Sequence, residues 1–166
     1  MEFQGKVAVI TGGASGIGLA TARQLAQRGV NLCLVDREAA ALEAAVAVLL
    51  TGADVRVEAR MCDVSDYAAM QALAADVAET FGRVDIVFNN AGVAVGGPIA
   101  EMSHDDWRWI IDVDLWGPIH GVEAFLPHIR RQGEGGQRQR VGEGEKEETA
   151  RREEVQLAET EELGDL

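Results

Sequence analysis

A glycine-rich turn at residues 11–18 carries the clearest chemical signal in the sequence. It reads Thr-Gly-Gly-Ala-Ser-Gly-Ile-Gly and lies between an apolar run and a predicted helix. Glycines let the backbone approach a diphosphate closely, and a helix N-terminus offers unpaired N–H groups and a favourable dipole. Asp36 ends the next apolar run, where a carboxylate can accept hydrogen bonds from the hydroxyls of an adenosine ribose. The pattern predicts a dinucleotide site that begins with Gly12, Ser15, Gly16, Ile17, Gly18 and Asp36.

A glycine cluster by itself also occurs in ordinary tight turns between a strand and a helix. The strand before it, the helix after it and the acid at the end of the second strand together favour a dinucleotide site. Because the Asp36 carboxylate would repel a 2′-phosphate, the sequence favours NAD over NADP. Arg37 follows directly and keeps NADP as the minority alternative.

Strand-like and helix-like segments alternate around this turn. Short apolar runs predict strands at residues 7–10, 31–35, 55–59 and 84–88. Helices are predicted at residues 16–28, 38–50, 66–81 and 105–131. Ser65 and Ser103 are the expected N-caps of the last two, with a kink at Gly117 and Pro118 and a bend or early end at Pro127. Strands joined by helices predict an α/β fold, a doubly wound, Rossmann-type parallel sheet of about four strands.

Composition divides the chain into two parts. With 47% apolar residues the 166-residue chain can build a core, but its last 34 or so residues are mostly Gly, Glu, Gln and Arg. We therefore expect a dinucleotide-binding domain at residues 1–132 and an acidic low-complexity tail at residues 133–166, either disordered or a frayed helix. An acidic interaction segment is the less favoured alternative for the tail. The net charge of −13 argues against nucleic-acid binding.

The cysteines and the apolar runs indicate where in the cell the protein is located. Cys33 and Cys62 each lie in or beside a strand-like run, so buried free thiols in a reducing cytoplasm explain them better than a disulfide or a metal site. The longest purely apolar run, residues 44–50, is far too short to span a bilayer. No signal peptide is expected, since residues 6–10 lead straight into the glycine-rich turn. The sequence therefore predicts a cytoplasmic protein without a membrane partner.

At this point several motifs resemble one family, the short-chain dehydrogenases/reductases. The turn at residues 11–18 resembles its cofactor signature, and Asp63-Val64 resembles its adenine-contacting pair. Residues 89–92, Asn-Asn-Ala-Gly, resemble its second signature, which steadies the sheet and lines the adenosine ribose. The resemblance covers roughly residues 3–132 and implies an oxidoreductase that moves a hydride between NAD(P) and an alcohol or carbonyl. It adds five residues to the expected cofactor site: Asp63, Val64, Asn90, Ala91 and Gly92.

Physical reasons accompany these residues. Asp63 can accept a hydrogen bond from the adenine amino group while the Val64 N–H serves a ring nitrogen. Ala91 and Gly92 are small, which lets a ribose lie against the backbone at the carboxyl ends of the strands. Asn90 has donors and acceptors that can tie neighbouring loops together. The alternative is a purely structural role, in which the two asparagines at residues 89–90 only satisfy buried loop backbone.

One departure from the family lies in the long helix. Within Asp-Val-Asp-Leu-Trp-Gly at residues 112–117, the family places an asparagine where this chain has Asp114. By resemblance, that asparagine helps to hold a water in a proton relay. Asp114 could keep the backbone geometry with a charge in place of an amide, or could be a buried helix acid with its own hydrogen-bond partner. The sequence favours neither.

A second departure concerns the reaction itself. In the family, a tyrosine passes the substrate proton, a lysine four residues on assists it, and a serine stands at the end of a fifth strand. The only tyrosine here is Tyr67, residue 71 is Gln, and the lysines are Lys6 and Lys146. The serines, Ser15, Ser65 and Ser103, all lie at earlier turns or helix starts. We therefore expect no catalytic residue in this chain, a truncated or out-of-frame end, and an incompetent cofactor-binding fragment. A non-catalytic nucleotide-binding module with an acidic interaction tail is the alternative.

The remaining candidates are structural. His104, His120 and His128 have no metal-ligand spacing with the cysteines, so surface or helix-packing roles are expected and no metal is. By resemblance, the helix at 105–131, which carries Trp107, Trp109 and Trp116, is a surface for homo-oligomer formation, and residues 93–99 form a substrate-side loop. The outer edge of the fourth strand is expected to be unpaired, an aggregation liability.

Overall fold

The computed structural model describes residues 3–132. A four-stranded parallel sheet has the strand order β3-β2-β1-β4, with β1 paired along its length to β2 and in part to β4. The fold is thus an α/β Rossmann-type sheet, as predicted from the sequence. Its elements are β1 Val7–Thr11, α1 Gly16–Ala26, β2 Asn31–Asp36, α2 Ala39–Leu50, β3 Val57–Met61, α3 Tyr67–Phe81, β4 Ile86–Phe88, a 3₁₀ turn Ile99–Glu101, α4 His104–Ile111, a π-helical turn Asp112–Trp116 and α5 Gly117–Gln132.

Alternate side chains of the strands pack into two separate hydrophobic cores, one on each face of the sheet. Val9, Cys33 and Val35 pack on one face of the sheet with side chains of α3 and α5. Ala8, Ile10 and their neighbours on β2 pack on the other face with side chains of α1 and α2. Because both faces of β1 and β2 are fully covered, the strands read as continuous apolar runs rather than as alternating ones.

Asp85 fastens the start of β4 to the start of β1. Its carboxylate accepts hydrogen bonds from the Val7 N–H at 2.9 Å, from the Arg83 guanidinium at 2.6 and 2.7 Å, and from Lys6 Nζ at 3.2 Å. Partial burial raises the pKa of Asp85, but these donors outweigh it and bring the pKa below its ordinary value. The predicted strand at 84–88 is therefore shorter, because Asp85 uses its side chain to anchor the strand end and pairing begins at Ile86.

Two N-cap predictions had different outcomes. Ser103 caps α4 as predicted, in a capping box in which its hydroxyl and backbone N–H are paired with Asp106. Ser65 does not cap α3: the cap is Asp66, whose carboxylate accepts from the Ala69 N–H at 3.0 Å. The Ser65 hydroxyl instead donates to Asp63 Oδ1 at 2.7 Å, which explains why the cap lies one residue later.

The long helix predicted at 105–131 is two helices joined by the π turn. The Gly117 N–H reaches the carbonyl of Asp112, five residues back, so the irregularity lies just before the predicted kink at Gly117 and Pro118. Pro127 does not end α5, which continues to Gln132. The third strand also begins two residues later than predicted, at Val57.

Three other expectations concern edges, membranes and metals. Within residues 3–132, β4 is an edge strand that pairs on one side only, and β3 forms the other edge. None of the helices in this part of the chain has the length and apolar character that crossing a membrane requires. The same residues contain no cluster of His, Cys, Asp or Glu suited to a metal ion. The predicted tail at 133–166 and Lys146 lie outside the described residues.

Candidate functional site

A cavity of about 490 Å³ opens at the carboxyl ends of β1, β2 and β4. All of the residues predicted for the cofactor site line it except Gly18: Gly12, Ser15, Gly16, Ile17, Asp36, Arg37, Asp63, Val64, Asn90, Ala91 and Gly92. The sequence reasoning did not include Val35, Cys62, Val93 and Val113, which also line the cavity. These four are apolar or small residues brought in from separate elements, so no local pattern marks them.

The glycine-rich turn is held close to the end of β4. A Cβ on Gly12 would lie 2.9 Å from Ala91 Cα, and the φ of Gly12 is +62°, which favours glycine. Gly18 does not line the cavity because it lies behind the turn. A Cβ there would overlap the Gly12 carbonyl oxygen and lie 2.8 Å from Asn90 Nδ2. Glycine is thus required at Gly18 for packing of α1 against the turn.

Thr11 and Asn90 form the contacts that hold the turn. Asn90 Nδ2 donates to the carbonyl oxygens of Thr11 at 3.0 Å and Gly12 at 3.2 Å. The Thr11 hydroxyl oxygen accepts from the N–H groups of Asn90 and Ala91 at 3.0 and 3.1 Å. The side-chain amide of Asn90 therefore satisfies loop backbone, which is the purely structural role considered for this residue. The backbone of Ala91 and Gly92 remains at the cavity wall.

Asp36 is fixed where β2 meets the turn. Its Oδ2 accepts from the Ala14 N–H at 3.2 Å, and its Oδ1 accepts from the N–H groups of Arg37 and Glu38 at 2.8 and 3.3 Å. Each carboxylate oxygen can accept more than one hydrogen bond, so capacity remains for hydroxyl donors in the cavity. The same contacts hold the turn at the end of β2.

Asp63 is the second carboxylate in the cavity. Its Oδ1 accepts from the backbone N–H of Ser65 at 3.0 Å and from the Ser65 hydroxyl, and its Oδ2 lies 3.5 Å from Arg37 Nε. Partial burial raises the pKa of Asp63, but the Ser65 hydrogen bonds and the Arg37 charge outweigh it and bring the pKa below its ordinary value. Asp63 is therefore an ionised acceptor at neutral pH.

Asp114 is an exposed residue of the π turn, so the second of its two alternatives, a buried helix acid, is wrong. Its Oδ1 accepts from the Val93 N–H at 2.8 Å, which ties the loop after β4 to the π turn. The partner expected for a helix acid is thus present, but it belongs to the loop. Gly92 lies beside this contact, because a Cβ there would be 3.5 Å from Asp114 Oδ1.

Tyr67 and Lys6 lie away from the cavity lining. The Tyr67 side chain is about half exposed and meets the His120 ring edge-on, with centroids 5.3 Å apart. Lys6 precedes β1 and is paired with Asp85, at the end of the sheet opposite the cavity. Neither residue is among those that line the cavity.

The fold and the cleft at the carboxyl ends of its strands define a Rossmann-type α/β protein. The family model for short chain dehydrogenases matches residues 6–137 of the sequence. The chain therefore belongs to the short-chain dehydrogenase family.

Individual relatives agree with this assignment. The chain is 41% identical over 129 residues to meso-2,3-butanediol dehydrogenase of Serratia marcescens, covering 78% of this chain and 50% of that protein. It is 40% identical over 136 residues to levodione reductase of Leifsonia aquatica, covering 81% and 51%. A crystal structure of a short-chain dehydrogenase/reductase from Burkholderia phymatum in complex with NAD has a TM-score of 0.76 and 44% identity, covering 81% of this chain and 47% of that one. The chain spans about half the length of these relatives.

Proposed function

We propose that residues 1–132 form a nucleotide-binding domain that holds the adenosine diphosphate part of NAD. The observation that carries this proposal is the convergence, in one cavity, of the glycine-rich turn, Asp36, the Asp63–Val64 segment and the backbone of Ala91 and Gly92. The turn and the start of α1 would hold the diphosphate, Asp36 the ribose hydroxyls, and Asp63 and Val64 the adenine. The absence of side chains at Gly12 and Gly18 lets the turn pack closely against Asn90 and Ala91, which supports a turn held in a fixed shape for the diphosphate.

The preference for NAD rests on charge at the ribose position. Asp36 presents a carboxylate at the cavity wall, and a 2′-phosphate beside it would meet a like charge. Arg37, the residue that could favour NADP, lies 3.5 Å from Asp63 and directs its guanidinium toward that carboxylate. Solved relatives hold either cofactor: the Burkholderia phymatum structure contains NAD, and an alcohol dehydrogenase from Thermococcus sibiricus contains 5-hydroxy-NADP.

The reaction class follows from the relatives. Their names include butanediol dehydrogenase, levodione reductase and xylitol dehydrogenase, which indicates hydride transfer between a nicotinamide and an alcohol or carbonyl group. The nicotinamide, when bound, would accept that hydride as NAD⁺ or supply it as NADH. We propose that the 166-residue chain binds the nucleotide without turnover, because Tyr67 has no lysine four residues on and lies outside the cavity lining.

Binding and turnover can be measured separately on the whole chain. We expect calorimetry to show binding of NAD and of ADP-ribose. We expect turnover of 2,3-butanediol, followed by NADH absorbance, to fall about 100- to 10,000-fold below that of the Serratia marcescens relative, the range lost without a general acid–base. A rate comparable to that relative would refute the catalytic proposal. Absence of NAD binding would instead refute the proposed site.

We further propose that two copies of the chain associate through α4, the π turn and α5. Large apolar side chains remain exposed along this surface: Trp107, Trp109, Ile111, Leu115, Trp116, Val122 and Leu126. Many large apolar side chains left exposed on one segment are typical of association surfaces, and the family resemblance indicates a second copy as the partner.

Sedimentation analysis of the oligomeric state tests this surface. The wild-type chain is expected to sediment as a dimer, and the double substitution Ile111→Glu and Leu115→Glu is expected to leave a monomer, because it would bury charge without partners. Val48→Glu is the matched control, since Val48 is an exposed apolar residue on α2 with 46% of its surface accessible. A monomeric wild-type chain, or a dimer in the double variant, would contradict the proposal.

The two thiols support a cytoplasmic location. Cys33 and Cys62 are both free and buried. Burial raises the pKa of Cys33 to about 12 and also raises that of Cys62, which disfavours the thiolate form of both. We propose a reducing compartment on this basis.

A further inference from the structure

His120 on α5 does not line the cavity but contacts Val64, which does and which is proposed to bind the adenine. Its ring is buried, and Nδ1 lies 2.9 Å from the carbonyl oxygen of Val64. A carbonyl oxygen can only accept, so Nδ1 carries the hydrogen. Three residues earlier on the same helix, Gly117 gives Val64 room, because a Cβ there would lie 2.8 Å from Val64 Cγ2. Gly117 and His120 thus form a seat for Val64, one helical turn in length.

Two aromatic rings hold the imidazole in place. Tyr67 meets it edge-on at 5.3 Å with an interplanar angle of 63°, and Trp116 stacks on it at 6.0 Å with an angle of 25°. Both separations lie within the range in which aromatic pairs attract each other. The single tyrosine of the chain therefore helps to orient His120.

The Val64–Ser65 peptide links His120 to Asp63 through two hydrogen bonds. The carbonyl of the Val64–Ser65 peptide accepts from His120, and the N–H of the same peptide donates to Asp63 Oδ1 at 3.0 Å. A peptide unit is planar and its two hydrogen bonds polarise each other, so the imidazole and the carboxylate are mechanically and electrically linked. Asp63 and Val64 both line the cavity, whereas His120 does not.

We propose that His120 is a positioning residue for recognition of the nucleotide base. Through the Val64–Ser65 peptide it fixes the Asp63 carboxylate and the Val64 backbone in the orientation that distinguishes adenine from other purines. This inference rests on the proposed function, in which Asp63 accepts from the adenine amino group and the Val64 N–H donates to a ring nitrogen. Hypoxanthine has a carbonyl in place of the amino group and a protonated ring nitrogen, so it reverses both contacts.

The test compares NAD with nicotinamide hypoxanthine dinucleotide by calorimetry. His120→Phe keeps a ring between Tyr67 and Trp116 but removes the donor, and we expect it to reduce the preference for NAD about 5- to 10-fold. His120→Asn keeps a donor near the Nδ1 position and should restore most of the preference. His104→Leu, which removes an exposed histidine on α4, should leave it unchanged. A purely structural role would weaken both dinucleotides equally, and an unchanged ratio in His120→Phe would overturn the proposal.

A ligand-free measurement separates this inference from the proposed function. Amide hydrogen exchange at Ser65 should be about 5- to 10-fold faster in His120→Phe than in the wild type, because the peptide loses one of its two anchors. If the wild type binds neither dinucleotide, the proposed function fails and exchange still tests the seat. The proposal would be overturned if folded His120→Phe exchanged the Ser65 amide hydrogen at the wild-type rate. It would also be overturned if His120→Asn exchanged that hydrogen as fast as His120→Phe.

Discussion

Replacing Gly18 with alanine is expected to abolish NAD binding and to lower the free energy of unfolding by about 1 to 3 kcal/mol. The new methyl group would overlap the carbonyl oxygen of Gly12 and lie 2.8 Å from Asn90 Nδ2. Neither neighbour can move freely, since Asn90 Nδ2 donates to the carbonyl oxygens of both Thr11 and Gly12, at 3.0 and 3.2 Å. The strain therefore falls on the turn, and the N–H groups proposed to hold the diphosphate lose their alignment.

Urea unfolding and calorimetry of the same protein samples check this result. Gly52→Ala is the matched control, because a Cβ there meets no atom within 4 Å and the residue lies in an exposed turn after α2. That variant should keep wild-type affinity and change stability by no more than about 0.5 kcal/mol. A Gly18→Ala protein with the affinity and stability of the wild type would show that the turn does not need this close approach.

Asp36→Asn is expected to weaken NAD binding about 10- to 100-fold and to remove the preference for NAD over NADP. The variant loses a charged acceptor for ribose hydroxyls, and hydrogen bonds to charged groups contribute about 1.5 to 3 kcal/mol each. The amide has only one acceptor oxygen, so the variant can keep either the contact with the Ala14 N–H or those with the N–H groups of Arg37 and Glu38, but not both. Without the Asp36 carboxylate, a 2′-phosphate no longer meets a like charge at the ribose position, and the exposed Arg37 guanidinium is near enough to attract it even while paired with Asp63.

The measured quantity is the ratio of the dissociation constants for NADP and NAD at one salt concentration, since screening changes phosphate binding. Asp54→Asn removes an exposed carboxylate outside the cavity lining and should leave the ratio unchanged. An Asp36→Asn protein that still discriminates against NADP as strongly as the wild type would place the source of cofactor preference elsewhere.

Local patterns predicted the strands, the glycine-rich turn and the acid at the end of β2. They succeed because the turn and Asp36 follow buried strands, and the carboxyl ends of parallel strands meet at one edge of the sheet. The shift from Ser65 to Asp66 as the cap of α3 was not predictable in this way. Both residues can cap a helix, and the choice depends on Asp63 accepting the Ser65 hydroxyl.

Contacts between distant segments account for the rest. His120 and Val64 are 56 residues apart in sequence, and nothing near either residue indicates their hydrogen bond. The pairing of Arg37 with Asp63 likewise depends on how the ends of β2 and β3 converge. The sequence therefore identified most of the residues that line the cavity, but not the residues that support them.

The five-residue spacing between Gly117 and Asp112 has a geometric consequence for the whole of α5. One extra residue in a single turn sets the following helix back by about 100° of rotation relative to an uninterrupted α-helix. That rotational offset brings both Gly117 and His120 round to Val64. In an uninterrupted helix the same two residues would face elsewhere. The π turn at residues 112–116 therefore sets which face of α5 is turned toward Val64.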